Sequence, residues 1–300
     1  MAIGRIFHLI HMTGDLPALE AWYDDVFAVR RGFLDHDYLE LEQRDASLVV
    51  LADVVIEPLA PAFRVQGWDR YPLGKFYNKF GNHWHSIAWY CDDATALWHT
   101  LKNNNIRMLG MVGATADEPP TEPSPIFTHP KDTSTQLEFL PDSMSAMTDL
   151  DPRLRPDYDP HWWVANHPLG LHGMAYTTVL VKDLDRATHV YADVLGGTLL
   201  EKSHSALTGT DDVYIRVGES VIQLSNPTVD GSIAAADMAA NGEMHHAVCF
   251  RVQDLDKAEE YLRSKGVATS ARDDHTLLCD PATTHGAPFR FTTRSAPRDI

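Results

Sequence analysis

The chain carries sixteen histidines in 300 residues, and four of them stand at the ends or middles of short apolar runs. His8 follows Ile6-Phe7, His83 and His85 flank Trp84, and His246 precedes Ala247-Val248. Glu138 interrupts another apolar stretch, Gln136-Leu137-Glu138-Phe139-Leu140. Imidazoles and carboxylates on strands can ligate a divalent cation or exchange protons near neutral pH. A strand histidine standing alone is more often a hydrogen-bonded structural residue. These candidates therefore need a frame that brings them together.

Internal repetition supplies the frame. Four stretches share one pattern, a short apolar strand, then an Asp, then an amphipathic helix. The strands begin near Ile6-Phe7-His8, Trp84-His85-Ser86, Ala175-Tyr176-Thr177 and His246-Ala247-Val248. Asp15, Asp93, Asp183 and Asp254 stand at the strand-to-helix junctions, where a carboxylate accepts the unpaired N–H groups of the first helical turn. Leu16, Leu19, Trp22, Tyr23 and Val26 recur at helical spacing, as do Leu184, Ala187, Val190, Tyr191 and Leu195. Ser47–Leu51, Gln136–Leu140, Ser220–Leu224 and Pro288–Phe291 are expected to close the four units. Each unit reads β-α-β-β-β, and two units make a domain. The expected organisation is a domain over 1–141, a Pro- and Asp-rich linker over 142–168, and a domain over 169–300. Trp162 and Trp163 suggest a linker packed onto a domain.

Tandem units of this kind, with Asp-Leu opening a helix that ends in Tyr191-Ala192-Asp193-Val194-Leu195-Gly196-Gly197, resemble the vicinal-oxygen-chelate superfamily of glyoxalases, bleomycin resistance proteins and extradiol dioxygenases. The resemblance spans nearly the whole chain. It implies an α+β fold in which paired units form cup-shaped mixed sheets. It also implies a divalent metal ligated from the first and last strands of each unit. Superposing the units places His8, Val50, His85 and Glu138 at those positions in the first domain, with His83 as the alternative to His85. The second domain offers Tyr176, Gln223, His246 and Arg290. A guanidinium repels a cation, so the second domain is expected to be a degenerate copy. Two imidazoles and one carboxylate form the facial triad of non-haem Fe(II), and Mn(II) or Zn(II) also suits them.

Around that centre, the segment from Pro58 to Asn82 is longer than a connection requires. Its aromatic residues read either as a wall over the cup or as packing against the second domain. Trp68, Tyr71 and Tyr77, together with Trp89 on the His85 strand, are the candidate substrate-binding residues. His129 is the candidate proton-transfer group at the rim. By resemblance, the leading expectation is an Fe(II) extradiol-type dioxygenase that opens a catechol-like ring with O₂. Val50 matters here, because an apolar fourth position leaves room for oxygen. In the familiar four-unit extradiol enzymes the metal lies in the C-terminal half, and Ile126 stands where a Tyr is expected. The alternatives are a glyoxalase- or epimerase-like isomerase, lyase or hydrolase, and a non-catalytic small-molecule binding protein.

Composition narrows the partners. A net charge of −17 argues against nucleic acid and anionic membranes. No apolar run approaches the roughly 20 residues of a membrane span. The opening Met1-Ala2-Ile3-Gly4-Arg5 lacks a secretory core, and three cysteines without a CxxC pair give no disulfide framework. The expectation is a cytoplasmic protein that handles a small, aromatic substrate, with a homo-oligomer as one arrangement.

Overall fold

A computed structural model describes residues 2–32, 34–111, 113–120, 124–146 and 151–297. The fold is α+β, with two mixed sheets of eleven and eight strands. At the centre of the first sheet lie the His8 strand (Ile3–Met12) and the His85 strand (His83–Cys91), paired antiparallel. Val54–Pro61 flanks the former and Gln136–Pro141 the latter, both in parallel register. The second sheet repeats this plan. Leu171–Leu180 and Met244–Val252 form its antiparallel centre, flanked by Ser220–Pro227 and Phe289–Thr292 in parallel.

The four Asp residues do what their positions predict. Asp15, Asp93, Asp183 and Asp254 each accept a backbone N–H of the first turn of the following helix. The helices cover one face of their sheets. Leu19, Tyr23, Val26 and Phe27 pack with Leu9, Ile87, Trp89 and Phe139 of the first sheet in a core that runs on into Phe250, Phe289 and Phe291 of the second. The opposite face of the first sheet carries Phe7, Val50, Val55, Ala88 and Leu140.

The first unit differs from expectation in its last strand. Val49–Leu51 turns back through Ala52 and Asp53 and pairs antiparallel with Val54–Ile56. Ala52 takes a left-handed conformation, φ 51°, as Gly218 does in the equivalent turn of the second sheet, φ 59°. The closing strand is therefore Val54–Pro61, buried throughout, and not Ser47–Leu51. Each turn docks on the other half of the molecule. Met174 N–H donates to Asp53 at 2.7 Å, and Glu219 N–H donates to the Gly4 carbonyl at 3.3 Å.

Residues 147–150 of the expected linker lie outside the described residues. Its remainder packs down. Trp163 is fully buried and donates Nε1–H to the Phe27 carbonyl at 2.7 Å. Arg153 pairs with Asp151 at 2.7 Å and donates to the carbonyls of Ile6, Phe7 and Asp53. That guanidinium thus braces the strand that carries His8. Arg153→Ala should strand the buried Asp151 carboxylate and cost about 3–5 kcal/mol. A lowered urea midpoint with unchanged m-value would show it; an unchanged midpoint would count against the brace.

Candidate active site

A cavity of about 240 Å³ opens on the cup face of the first sheet. His8, Glu57, His85 and Glu138 line it, one from each of the four central strands. His8 Nε2 lies 3.3 Å from Glu138 Oε2 and 3.4 Å from Glu57 Oε2. Glu57 Oε1 faces Arg44 Nη2 at 3.3 Å, and Arg44 Nε donates to Glu42 at 2.7 Å. Arg44 arrives on a short strand, Arg44–Ala46, paired to the end of the Glu57 strand.

Electrostatics follow from this packing. Burial disfavours the charged form of His8, but Glu57 and Glu138 outweigh it and raise its pKa. His85 is pushed down to about 4, first by burial and then by the charge of His8. Burial raises the Glu42 carboxyl against the pull of Arg44.

The fourth position is the main correction. Val50 sits in the apolar cluster with Phe7 and Val55 and does not line the cavity. Register identifies the true equivalents. Ile10 pairs with Glu57 in the first sheet, and Thr178 pairs with Gln223 in the second. His8 and Tyr176 each precede those partners by two residues, so Glu57 corresponds to Gln223. A sequence signal was available, because Pro61 and Pro227 each follow four residues later.

A β-bulge decides the rest of the His85 strand. Between the pairs Leu9–Ile87 and His11–Trp84 that strand uses one residue more than its partner. Side-chain parity therefore changes after His85. Ala88 and Tyr90 join the cup-side cluster, while Ile87, Trp89 and Cys91 face the helices. Trp89 is stacked on Phe139 in the core, with ring centroids 5.8 Å apart, and contributes nothing to the cavity. His83 is likewise no ligand candidate here. Its Nε2 meets Asp237 of the second half at 3.1 Å. His11 is buried outside the cup, bonded to Tyr23 Oη at 2.8 Å.

The expected aromatic wall is also rearranged. Trp68 and Tyr77 cluster with Phe63, and Tyr77 closes over Gly14. Tyr71 forms the N-terminal boundary of the helix Pro72–Phe80. None of the three lines the cavity. Leu73 of that helix lines the cavity, and Phe76 lies edge-on to His85 at 4.4 Å. His129 caps a one-turn helix, accepting from Lys131 N–H at 3.2 Å, and lies off the cavity.

The residues present can be tested against a divalent cation. Glu42, Glu57 and Glu138 face one guanidinium, which leaves two negative charges when the imidazoles are neutral. A dication balances that charge. The Nδ1 atoms of His8 and His85 are buried without a hydrogen-bond partner. Among the described residues no three His, Cys, Asp or Glu side chains are grouped closely enough to hold a metal ion as they stand; His8 and the carboxylates stand at hydrogen-bond distances. The donor types and net charge fit a metal, and Arg44 is an addition that such a set does not require.

A larger groove of about 490 Å³ lies near Arg5, Asp53 and Arg153. Its Asp53 and Arg153 are already committed to the contacts described above, and no imidazole lines it.

Comparison with known proteins agrees with the architecture. Residues 173–277 match the family described as Glyoxalase/Bleomycin resistance protein/Dioxygenase superfamily. Mouse (Mus musculus) mitochondrial methylmalonyl-CoA epimerase is 29% identical over 118 residues, which are 39% of this chain and 62% of that protein, less than two thirds of its length. The ethylmalonyl-CoA/methylmalonyl-CoA epimerase of Cereibacter sphaeroides is 25% identical over 118 residues, 39% of this chain and 84% of that one. A mutant 4-hydroxymandelate synthase from Streptomyces coelicolor superposes with a TM-score of 0.69 at 12% identity, covering 100% of this chain and 95% of that one. Residues 173–277 thus resemble that superfamily in sequence, and the whole chain shares the vicinal-oxygen-chelate fold that its repeats suggested. Among the described residues no helix is long and apolar enough to cross a membrane.

Metal content separates the candidate ligands from their neighbours. Glu57→Ala and Glu138→Ala should each lose stoichiometric metal after dialysis, measured by elemental analysis. Val50→Ala should keep it while losing about 2 kcal/mol of stability, and His246→Ala should keep it too. Loss of metal in His246→Ala would place the site in the wrong half.

Proposed function

We propose that this chain is a divalent-metal enzyme of the isomerase, epimerase or lyase kind, moving a proton beside a carbonyl of a small substrate. The observation that carries it is Glu57, a second carboxylate on His8 where an apolar residue was expected. His8, Glu57, His85 and Glu138 would hold the ion, a set with one carboxylate more than the oxygen-activating triad uses. An ion bound there would polarise the substrate oxygens and acidify the adjacent C–H. Zn(II), Mn(II) and Fe(II) all suit this redox-inert role.

The chain's own groups divide the remaining work. Arg44 and His8 both hold Glu57 and fix its position. Glu138 is held by His8 alone in the contacts described, which leaves it freer to swing and take a proton. Leu73, Phe127 and Leu140 give the cavity an apolar lining that limits water. At about 240 Å³ the cavity is smaller than the roughly 300–1,000 Å³ of drug-sized sites. It suits a small molecule, a single ring included, or the reactive end of a larger one. The epimerase names of the sequence relatives point the same way, since epimerisation removes and returns a proton.

The second reading is oxygen chemistry at Fe(II), with His8, His85 and Glu138 as a triad. Its support is Arg44, which could hold Glu57 off the ion, and the full-length likeness to a 4-hydroxymandelate synthase. The extradiol opening of a catechol is the narrower form of this reading.

One experiment separates the two. Protein loaded anaerobically with Zn(II), Mn(II) or Fe(II) is offered α-hydroxyketones, 2-methylmalonyl thioesters and catechols in D₂O. Deuterium should enter the carbon beside the carbonyl at the same rate with and without O₂, and Glu138→Gln should slow exchange by about 10²–10⁴-fold. Stoichiometric oxygen uptake seen with Fe(II) alone would establish the second reading instead.

A further inference from the structure

The cup of the second sheet is built on the same four positions, with the charge at its floor reversed. Arg290 pairs with Cys249 in the register where Glu138 pairs with Ala88. It is 4% exposed. One nitrogen, Nη1, donates to Gln223 Oε1 at 3.0 Å and to Thr178 Oγ1 at 3.3 Å, both neutral acceptors. Among the described residues no carboxylate lies within ion-pair distance of it. Asp212 is near enough to feel its charge, but it accepts from Ser225. A buried guanidinium with no carboxylate in direct contact is costly, and here it borders open space on two sides.

On one side is a cavity of about 250 Å³ lined by Arg290, His246, Thr208 and the first residues of the helix Ile233–Asn241, which Ser232 caps. On the other is a wider opening of about 620 Å³ lined by Arg290, Tyr176, Tyr214 and Gln223, with Arg294 and Arg272 also on its lining, the latter paired with Asp256 and Glu259. Tyr176 and Tyr214 meet edge to face at 5.3 Å, an apolar wall fitted to a flat group. His246 Nδ1–H donates to the Asp237 carboxylate, so its other ring nitrogen is held in a fixed direction.

We propose that the second cup is a binding site for a small organic carboxylate, anchored on Arg290 and distinct from the metal-type site of the first cup. A planar carboxylate takes two parallel N–H bonds from a guanidinium fork, and Arg290 has Nε and Nη2 beyond the nitrogen already used. The ring or chain of the ligand lies against Tyr176 and Tyr214. This site does not depend on the reaction carried out in the first cup.

Benzoate, its neutral isostere benzamide and inorganic phosphate serve as probes, titrated calorimetrically into the full-length protein after chelator treatment. Benzoate should bind one to one and benzamide should not. Arg290→Gln should weaken benzoate at least about tenfold, while His8→Ala, which disables the first cup, leaves it unchanged. If Arg290→Gln loses cooperative melting, Arg290→Lys carries the test. It keeps the charge without the fork and should also weaken benzoate about tenfold. Benzoate affinity indifferent to both Arg290 variants overturns the proposal, as do loss of binding in His8→Ala, binding of phosphate alone, and no binding of any probe at millimolar concentration.

Discussion

Two carboxylates, Glu57 and Glu138, converge on one buried imidazole nitrogen of His8, and much of the first sheet is arranged around that convergence. Like charges brought together out of water need compensation. Arg44 supplies one positive charge from the edge of the cup, and a protonated His8 or a bound dication can supply the rest. The parallel strands on either side of the central pair each bring one acid to the same nitrogen. Arg153 braces the middle strand through the Ile6 and Phe7 carbonyls, immediately before His8. The metal-type reading and the proton-transfer reading both rest on this one cluster.

The second half shows what the same scaffold does when that demand is lifted. Tyr176, Gln223, His246 and Arg290 occupy the equivalent positions by register, and the central bulge recurs between Thr178–Ala247 and Val179–His245. Even the helices leading into the second strands correspond. Counting back from Gly81 and Gly242, Phe76 stands where Asp237 stands. In the first cup His85 meets an aromatic edge, and in the second His246 meets a carboxylate that also holds His83 of the first half. Burial works against that carboxylate, but the hydrogen bonds from His246 and His83 keep it well below the usual range. One cup thus concentrates negative charge and the other a buried positive charge.

The repeat, the four Asp caps, the α+β class and three of the four cup positions were legible in the sequence, because they depend on local physics. An Asp before a helix caps it wherever the helix goes, and an imidazole on an apolar strand stands out against its neighbours. The same local logic explains what was misread. Alternation along a strand holds only while the ladder is regular, so the bulge after His85 moved Trp89 from cup to core. Superposing the units by spacing puts Val50 at the fourth position, because Ala52 and Asp53 carry no hairpin signature, yet their turn places one strand behind the other.

What the sequence determined by itself, then, is which segments become strands and helices and which residue types stand ready for chemistry. Tertiary structure alone decided which of those residues meet. Glu57 reaches His8 through parallel pairing across forty-nine positions of chain, and Arg44 reaches Glu57 through a hairpin laid over the strand's end. His129, Trp68, Tyr71 and Tyr77 have suitable chemistry but are held elsewhere by a cap and an aromatic cluster. The physical reason is that register, bulges and turns set side-chain direction through hydrogen bonds between distant segments, and those bonds have no signature in the spacing of residues along one segment.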